Sequence, residues 1–108
     1  MTEKALIETG TVRLDADLGD TKEKVLRALA GAFVDTGRAN DLDGAVGALL
    51  AREDKAATGM KGGFAIPHCK GAAIDTPSLA FARLSAPVDF GAADGPADLV
   101  FMLGAPEG

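Results

Sequence analysis

The periodicities of the chain predict an α/β or α+β sandwich built on a central mixed sheet. Two observations carry that expectation. A short N-terminal strand signal is followed by two stretches of helical spacing and then by several strand-like runs in succession. The last run, Leu99-Val100-Phe101-Met102-Leu103, is apolar throughout, as in a strand buried on both faces.

Taken in order, Leu6-Ile7 and Val12-Arg13-Leu14 alternate across Gly10 and predict a short strand or two. A turn at residues 15–19 follows, with Asp15, Asp17 and Asp20 solvated. Asp20-Thr21-Lys22-Glu23 has the layout of a capping box with Asp20 as the cap. Val25, Leu26, Leu29, Phe33 and Val34 then mark an amphipathic helix over residues 20–36, ended by Gly37 in a left-handed conformation. A second helix starts near Asn40 or Asp41 and ends around Arg52-Glu53, with Leu42, Ala45, Val46, Leu49 and Leu50 as its buried stripe. Gly44 and Gly47 each lower its propensity by up to about 1 kcal/mol and offer a small-residue face for close packing on a sheet. Residues 58–63 form a glycine-rich loop. Phe64-Ala65-Ile66 is a short strand stopped by Pro67, residues 79–84 have the β period, and Val88-Asp89-Phe90 forms a short edge piece. After the final apolar run, the chain reaches Pro106-Glu107-Gly108 with nothing to cover the second face of the sheet. The expectation is therefore a domain lacking its last covering elements.

Composition bounds the function classes. With 108 residues, the whole chain, 1–108, reads as one domain. It is 47% apolar and 25% charged, as soluble globular chains are. No window approaches a membrane-spanning apolar run, so direct membrane insertion is not expected. The N-terminus lacks the layout of a signal peptide. A net charge of −5 argues against a nucleic-acid footprint. The single cysteine, Cys69, excludes an intrachain disulfide and fits a reducing, cytoplasmic setting. There is one histidine, so any imidazole chemistry must use His68.

The informative segment runs from Arg52 to Lys70. A lone histidine is by default an ordinary surface or core group, but here Pro67 presents His68 at the end of a short strand. Upstream, Gly59, Gly62 and Gly63 form a loop whose backbone N–H groups could cradle phosphoryl oxygens, although turns use the same residues. Arg52 either complements the C-terminus of the second helix or reaches across to a phosphoryl group on His68. Thr58 is either a plain loop residue or hydrogen-bonds one imidazole nitrogen and so selects the nucleophilic one. Lys70 reads as solvated. A metal is not expected: a zinc site wants three or four ligands, and His68 and Cys69, adjacent in a strand, point to opposite faces. The same geometry disfavours a Cys–His nucleophilic pair. No phosphate-binding nucleotide fingerprint occurs.

Thr58-Gly59 followed by Gly63-Phe64-Ala65-Ile66-Pro67-His68, with Arg52-Glu53 upstream, resembles the active-site signature of phosphotransferase-system (PTS) enzyme IIA domains of the fructose/mannitol class. The match extends to Thr21-Lys22-Glu23, to residues 79–84, and to Leu99-Val100-Phe101 with Ala105-Pro106-Glu107, nearly the whole chain. The resemblance implies a three-layer α/β/α sandwich with a central mixed five-stranded sheet and C-terminal helices that are missing here. It implies that His68 accepts a phosphoryl group from the phosphohistidine of the carrier protein HPr. The group then passes to a cysteine of a cognate IIB domain, as sugar enters through the membrane component IIC. Arg52 matches the arginine near the phosphoryl group, and Thr58 the threonine opening the glycine loop. No cofactor is implied. Lys61 and Cys69 stand where the family often has glycine, and the family's second active-site histidine lies beyond the matched segment. The resemblance also leaves open a regulatory module like the nitrogen-related IIA paralogues, and a non-catalytic IIA-like domain. Arg52, Thr58 and His68 together argue against the last.

Overall fold

The computed structural model of the chain describes residues 4–107. A 3-10 turn, Thr9–Thr11, leads into β1 (Val12–Ala16); α1 (Lys22–Asp35) and α2 (Leu42–Lys55) follow. Then come β2 (Gly59–Met60), β3 (Phe64–Ala65), β4 (His68–Gly71), β5 (Ser78–Val88) and β6 (Ala97–Pro106). The predicted turn at residues 15–19 begins inside β1. There Asp15 takes a φ of 53° and the register against β5 slips between Leu14 and Ala16. Hydrogen bonds from Arg83, Nε to Oδ1 at 2.9 Å and Nη2 to Oδ2 at 3.1 Å, hold the Asp15 carboxyl below its ordinary range.

The helices start where short polar side chains can satisfy orphan N–H groups. Thr21, rather than Asp20, caps α1 by accepting from the Lys24 N–H at 3.2 Å. Asp20 instead pairs with the Lys24 ammonium. Gly37, at φ 74°, takes the expected left-handed turn past α1. Asp41 caps α2 through the Gly44 N–H at 3.0 Å. The two glycines of α2 are not pressed against the sheet as expected. A Cβ on Gly47 would touch nothing within 4 Å, and one on Gly44 would meet Asp41. Glycine there follows the solvent side and the cap.

The sheet is mixed, with strand order β1-β5-β6-β3-β2. β1 runs parallel to β5, β5 antiparallel to β6, and β3 parallel to β6, while β2 closes a hairpin on β3. β4 also runs parallel to β6, further along it. The five expected strand positions are thus filled by six strands. The cause is Ile66-Pro67: a proline has no N–H for the ladder, so one strand position is split in two. Of the short edge piece expected at residues 88–90, Val88 ends β5 and pairs with Ala97, while Asp89 and Phe90 lie outside the strands.

Both helices lie on one face of the sheet. A Cβ on Gly104 of β6 would stand 3.1 Å from the Phe33 ring of α1. Cys69, opposite Gly104, shares a cavity wall with Ala45 and Ala48 of α2. On this face Ala80, Ala82 and Leu84 of β5 and Val100 and Met102 of β6 are buried against Val25, Leu26, Leu29, Phe33 and Leu49. The other face carries Leu79, Phe81, Leu99, Phe101 and Leu103. Phe64, Phe101 and Phe81 form a stripe on it, with ring centroids 6.3 and 5.0 Å apart. β6 is therefore not buried on both faces as its run of apolar residues predicts: Leu103 is 39% exposed. The described residues make two layers, and the third layer of the expected sandwich is not among them. Among the described residues no helix is long and apolar enough to cross a membrane.

Polar side chains also penetrate this framework. Arg38 is fully buried, and its guanidinium donates to Glu8 Oε2 (2.8 and 3.0 Å), Leu6 O, Ala5 O and Ser78 Oγ. It ties the segment before β1 to the start of β5. Removing one partner of such a buried network leaves polar groups unsatisfied. Arg38→Ala is expected to lower stability by roughly 3 kcal/mol, read as a fall in the urea midpoint, with faster amide exchange in residues 6–11.

Candidate functional site

The site forms where the C-terminus of α2 meets the split strand. Arg52 lies in the last turn of α2 and donates from Nη1 to Ala56 O at 2.7 Å. That contact satisfies a carbonyl at the helix end and places a cation at the negative end of the dipole. The same guanidinium donates from Nε to His68 Nε2 at 3.1 Å. The guanidinium thus complements its helix end and also contacts the imidazole.

His68 opens β4, opposite Leu103 on the open face, and its neighbour Cys69 is buried toward the helices. The strand is anchored by Leu103 N–H donating to Pro67 O at 2.9 Å. The imidazole Nδ1 lies 3.0 Å from the Ile66 carbonyl. A carbonyl only accepts and a guanidinium N–H only donates. Nδ1 must therefore carry the proton and Nε2 the lone pair, so the two partners select one tautomer. The arrangement leaves the Nε2 lone pair facing the Arg52 guanidinium.

Thr58 does not touch the imidazole. It is buried, its hydroxyl donates to Glu53 Oε1, and its N–H donates to Glu53 Oε2 at 3.2 Å. A buried carboxylate that needs donors claims the hydroxyl, and the Ile66 carbonyl performs the orienting role expected of Thr58. The threonine connects to the ring only through its backbone: Ile66 N–H donates to Thr58 O at 3.1 Å.

The glycines are not at the imidazole either. Phe64 stands opposite Leu99 and His68 opposite Leu103, a separation of about 13 Å along a strand. Gly62 and Gly63 precede Phe64 and turn the β2–β3 hairpin with φ of 100° and 82°. The Gly62 N–H donates to the Asp94 carboxylate at 3.0 Å, and the Gly59 N–H to Phe90 O at 3.0 Å. Engaged N–H groups beside a carboxylate make a poor anion cradle. The Gly59 and Gly62 N–H groups are thus engaged away from the imidazole. Gly59 is required by packing: its Cβ would fall 2.6 Å from Phe90 O.

A cleft of about 720 Å³ adjoins the histidine, lined by Arg52, Lys55, His68, Lys70, Leu6 and Leu103 among others. Lys70 is exposed, as expected. Burial pushes the Cys69 thiol above its ordinary range, which keeps it protonated and inert near neutrality. Among the described residues no group of three or more His, Cys, Asp or Glu side chains could hold a metal ion.

Comparison with known proteins places this arrangement in a family. The profile described as "Phosphoenolpyruvate-dependent sugar phosphotransferase system, EIIA 2" matches residues 5–108. The "PTS system fructose-specific EIIA component" of Haloferax volcanii is 46% identical over 84 residues, 77% of this chain and 54% of that protein. A "Nitrogen regulatory protein" of Pseudomonas aeruginosa is 40% identical over 90 residues, 82% of this chain and 58% of that protein. Among solved structures, nitrogen regulatory protein IIA-Ntr from Neisseria meningitidis superposes with a TM-score of 0.84 at 30% identity, covering 95% of this chain and 70% of that one. IIA mannitol from Escherichia coli gives 0.79 at 25% identity, covering 93% and 72%. The chain belongs to the type 2 EIIA family of the sugar phosphotransferase system. It spans little more than half the length of the two relatives matched by sequence.

The packing of Gly59 generates a stability prediction. Gly59→Ala is expected to cost about 1–3 kcal/mol through the clash with Phe90. Lys61→Ala, exposed on the same hairpin, should stay within about 0.5 kcal/mol of the parent. Urea midpoints of the two variants check this.

Proposed function

We propose that the chain is a phosphocarrier domain that accepts a phosphoryl group on His68 Nε2. The observation that supports this reading is the pair of contacts on the ring: Ile66 O fixes the proton on Nδ1, and Arg52 sits at the free lone pair. In the forward step the Nε2 lone pair attacks the phosphorus of a phosphohistidine donor. A new N–P bond forms as the donor's N–P bond breaks, and the electron pair of that bond returns to the donor nitrogen. The Nδ1 proton stays on the ring, where the Ile66 carbonyl stabilises the charge that develops. Arg52 leaves Nε2 and turns toward the phosphoryl oxygens while Nη1 keeps its hold on Ala56 O. Phosphoryl transfer depends mainly on positioning and charge stabilisation, which these groups supply. In the return step an acceptor thiolate attacks phosphorus and Nε2 recovers its lone pair.

Within a sugar phosphotransferase system the donor is HPr, the acceptor is a cysteine of the cognate IIB domain, and IIC carries the sugar across the membrane. This chain then works in the cytoplasm and needs no cofactor of its own. Likeness to the fructose-specific relative favours fructose or a related sugar. A second reading, a regulatory module that reports its phosphorylation state to partner proteins, has its own support in the nitrogen regulatory relatives.

Supplied with phosphoenolpyruvate, enzyme I and HPr, the parent is expected to gain one acid-labile phosphate. His68→Ala should gain none; labelling equal to the parent would refute the assignment. Arg52→Ala should slow labelling about a hundred-fold, the scale for losing one charge-stabilising donor. Passage of the label to a fructose IIB cysteine would favour transport, and retention of it would favour regulation.

A further inference from the structure

The strongest unused group lies one residue from Arg52. The Glu53 side chain is 2% exposed, and Lys22 of α1 is the cation that pairs with it, Nζ to Oε2 at 3.2 Å. Its oxygens also accept from the Thr58 hydroxyl and the Thr58 N–H. It accepts at both oxygens and donates nothing, the bonding of an ionised carboxylate. Burying a charge with its donors satisfied costs desolvation that a surface position would not. The position it holds leads straight to the imidazole.

We infer that Glu53 is a positioning residue for phosphoryl acceptance at His68, acting through Thr58 and Ile66. The inference rests on the reading of His68 as acceptor. The contacts run in sequence. Glu53 clamps Thr58 at hydroxyl and N–H, the Thr58 carbonyl takes the Ile66 N–H at 3.1 Å, and the Ile66 carbonyl meets Nδ1 of His68 at 3.0 Å. Arg52, the preceding residue, meets Nε2 directly. Consecutive residues of one helical turn thereby reference both ring nitrogens, one by direct contact and one through a relay of backbone groups. Lys22 holds the far side of the carboxylate, so the last turn of α2 is also keyed to the first residue of α1.

This assignment explains a residue whose side chain never reaches the ring. Without the clamp the Thr58 backbone is free to shift, Ile66 follows, and the Nδ1 contact lengthens. The ring can then place its proton on Nε2, which blocks the attacking lone pair. Thr58 thus matters through its hydroxyl's grip on Glu53.

The test uses Glu53→Gln and Thr58→Val in the full chain, with Thr58→Ser as the conservative control. Phe33→Leu, at a residue packed under Gly104 and outside the Glu53–Thr58–Ile66 contacts, serves as a destabilised control. Two readouts are taken on folded protein, checked by circular dichroism: NMR of the imidazole nitrogens, which reports the tautomer, and the initial rate of labelling from phospho-HPr. Glu53→Gln and Thr58→Val are expected to show a mixed tautomer and labelling slowed about ten- to a hundred-fold, the scale for small misplacements of a reacting group. Thr58→Ser and Phe33→Leu should keep the parent's single tautomer and rate. Should Glu53→Gln fail to fold, Thr58→Val carries the same comparison. The inference is overturned if the folded clamp variants keep the parent's tautomer and rate, or if Phe33→Leu disturbs the ring equally. Labelling of His68→Ala at the parent's rate would instead sink the acceptor reading, and the tautomer measurement, which needs no phosphate, keeps the two failures apart.

Discussion

The histidine ring is held between a group that can only accept and a group that can only donate. Everything else at this end of the molecule serves that constraint. The Ile66 carbonyl is where it is because β3 stops and β4 starts around a proline, and because β6 holds both segments parallel to itself. The guanidinium is where it is because α2 ends at that height and its own terminal carbonyl takes one of the arginine's donors. An imidazole on a plain surface exchanges tautomers freely. Here the choice is written into two fixed partners, one from the sheet and one from the helix layer.

The fold was legible wherever a single period dominates. The α1 stripe, the left-handed Gly37 and the alternation of β5 follow from spacing alone. The pairing of Arg52 with His68 was legible as an alternative, because a cation at a helix end and a histidine at a strand end both point to a boundary between elements. Features that depend on a neighbour were not legible. Thr58 carries a hydroxyl that suits an imidazole equally well on paper, and only the burial of Glu53 beside it decides where that hydroxyl goes. The glycines between residues 58 and 63 resemble an anion cradle in sequence. A two-strand hairpin with Asp94 against its turn needs the same residues. The apolar run of β6 reads as doubly buried, but the number of covering layers is a property of the whole assembly of elements, not of one strand.

The fold also ties the walls of the site to one another. A fully buried arginine, Arg38, ties the N-terminal segment to the start of β5, and Leu6 from that segment lines the cleft beside His68. The cleft wall, the strand that bears the histidine and the helix that bears the cation thus belong to one connected polar and apolar framework. Its aromatic stripe, Phe64, Phe101 and Phe81, runs on the same face as the histidine.

The double allegiance of Arg52 has a kinetic meaning. One nitrogen stays on the helix end while another meets the ring, so the charge that would accompany a phosphoryl group is stationed beside the ring before any group arrives. On the proposed function, loading and unloading then differ by a rotation of this one planar group, with Nη1 held on Ala56 O. On the same reading, that prepositioning serves loading and release alike.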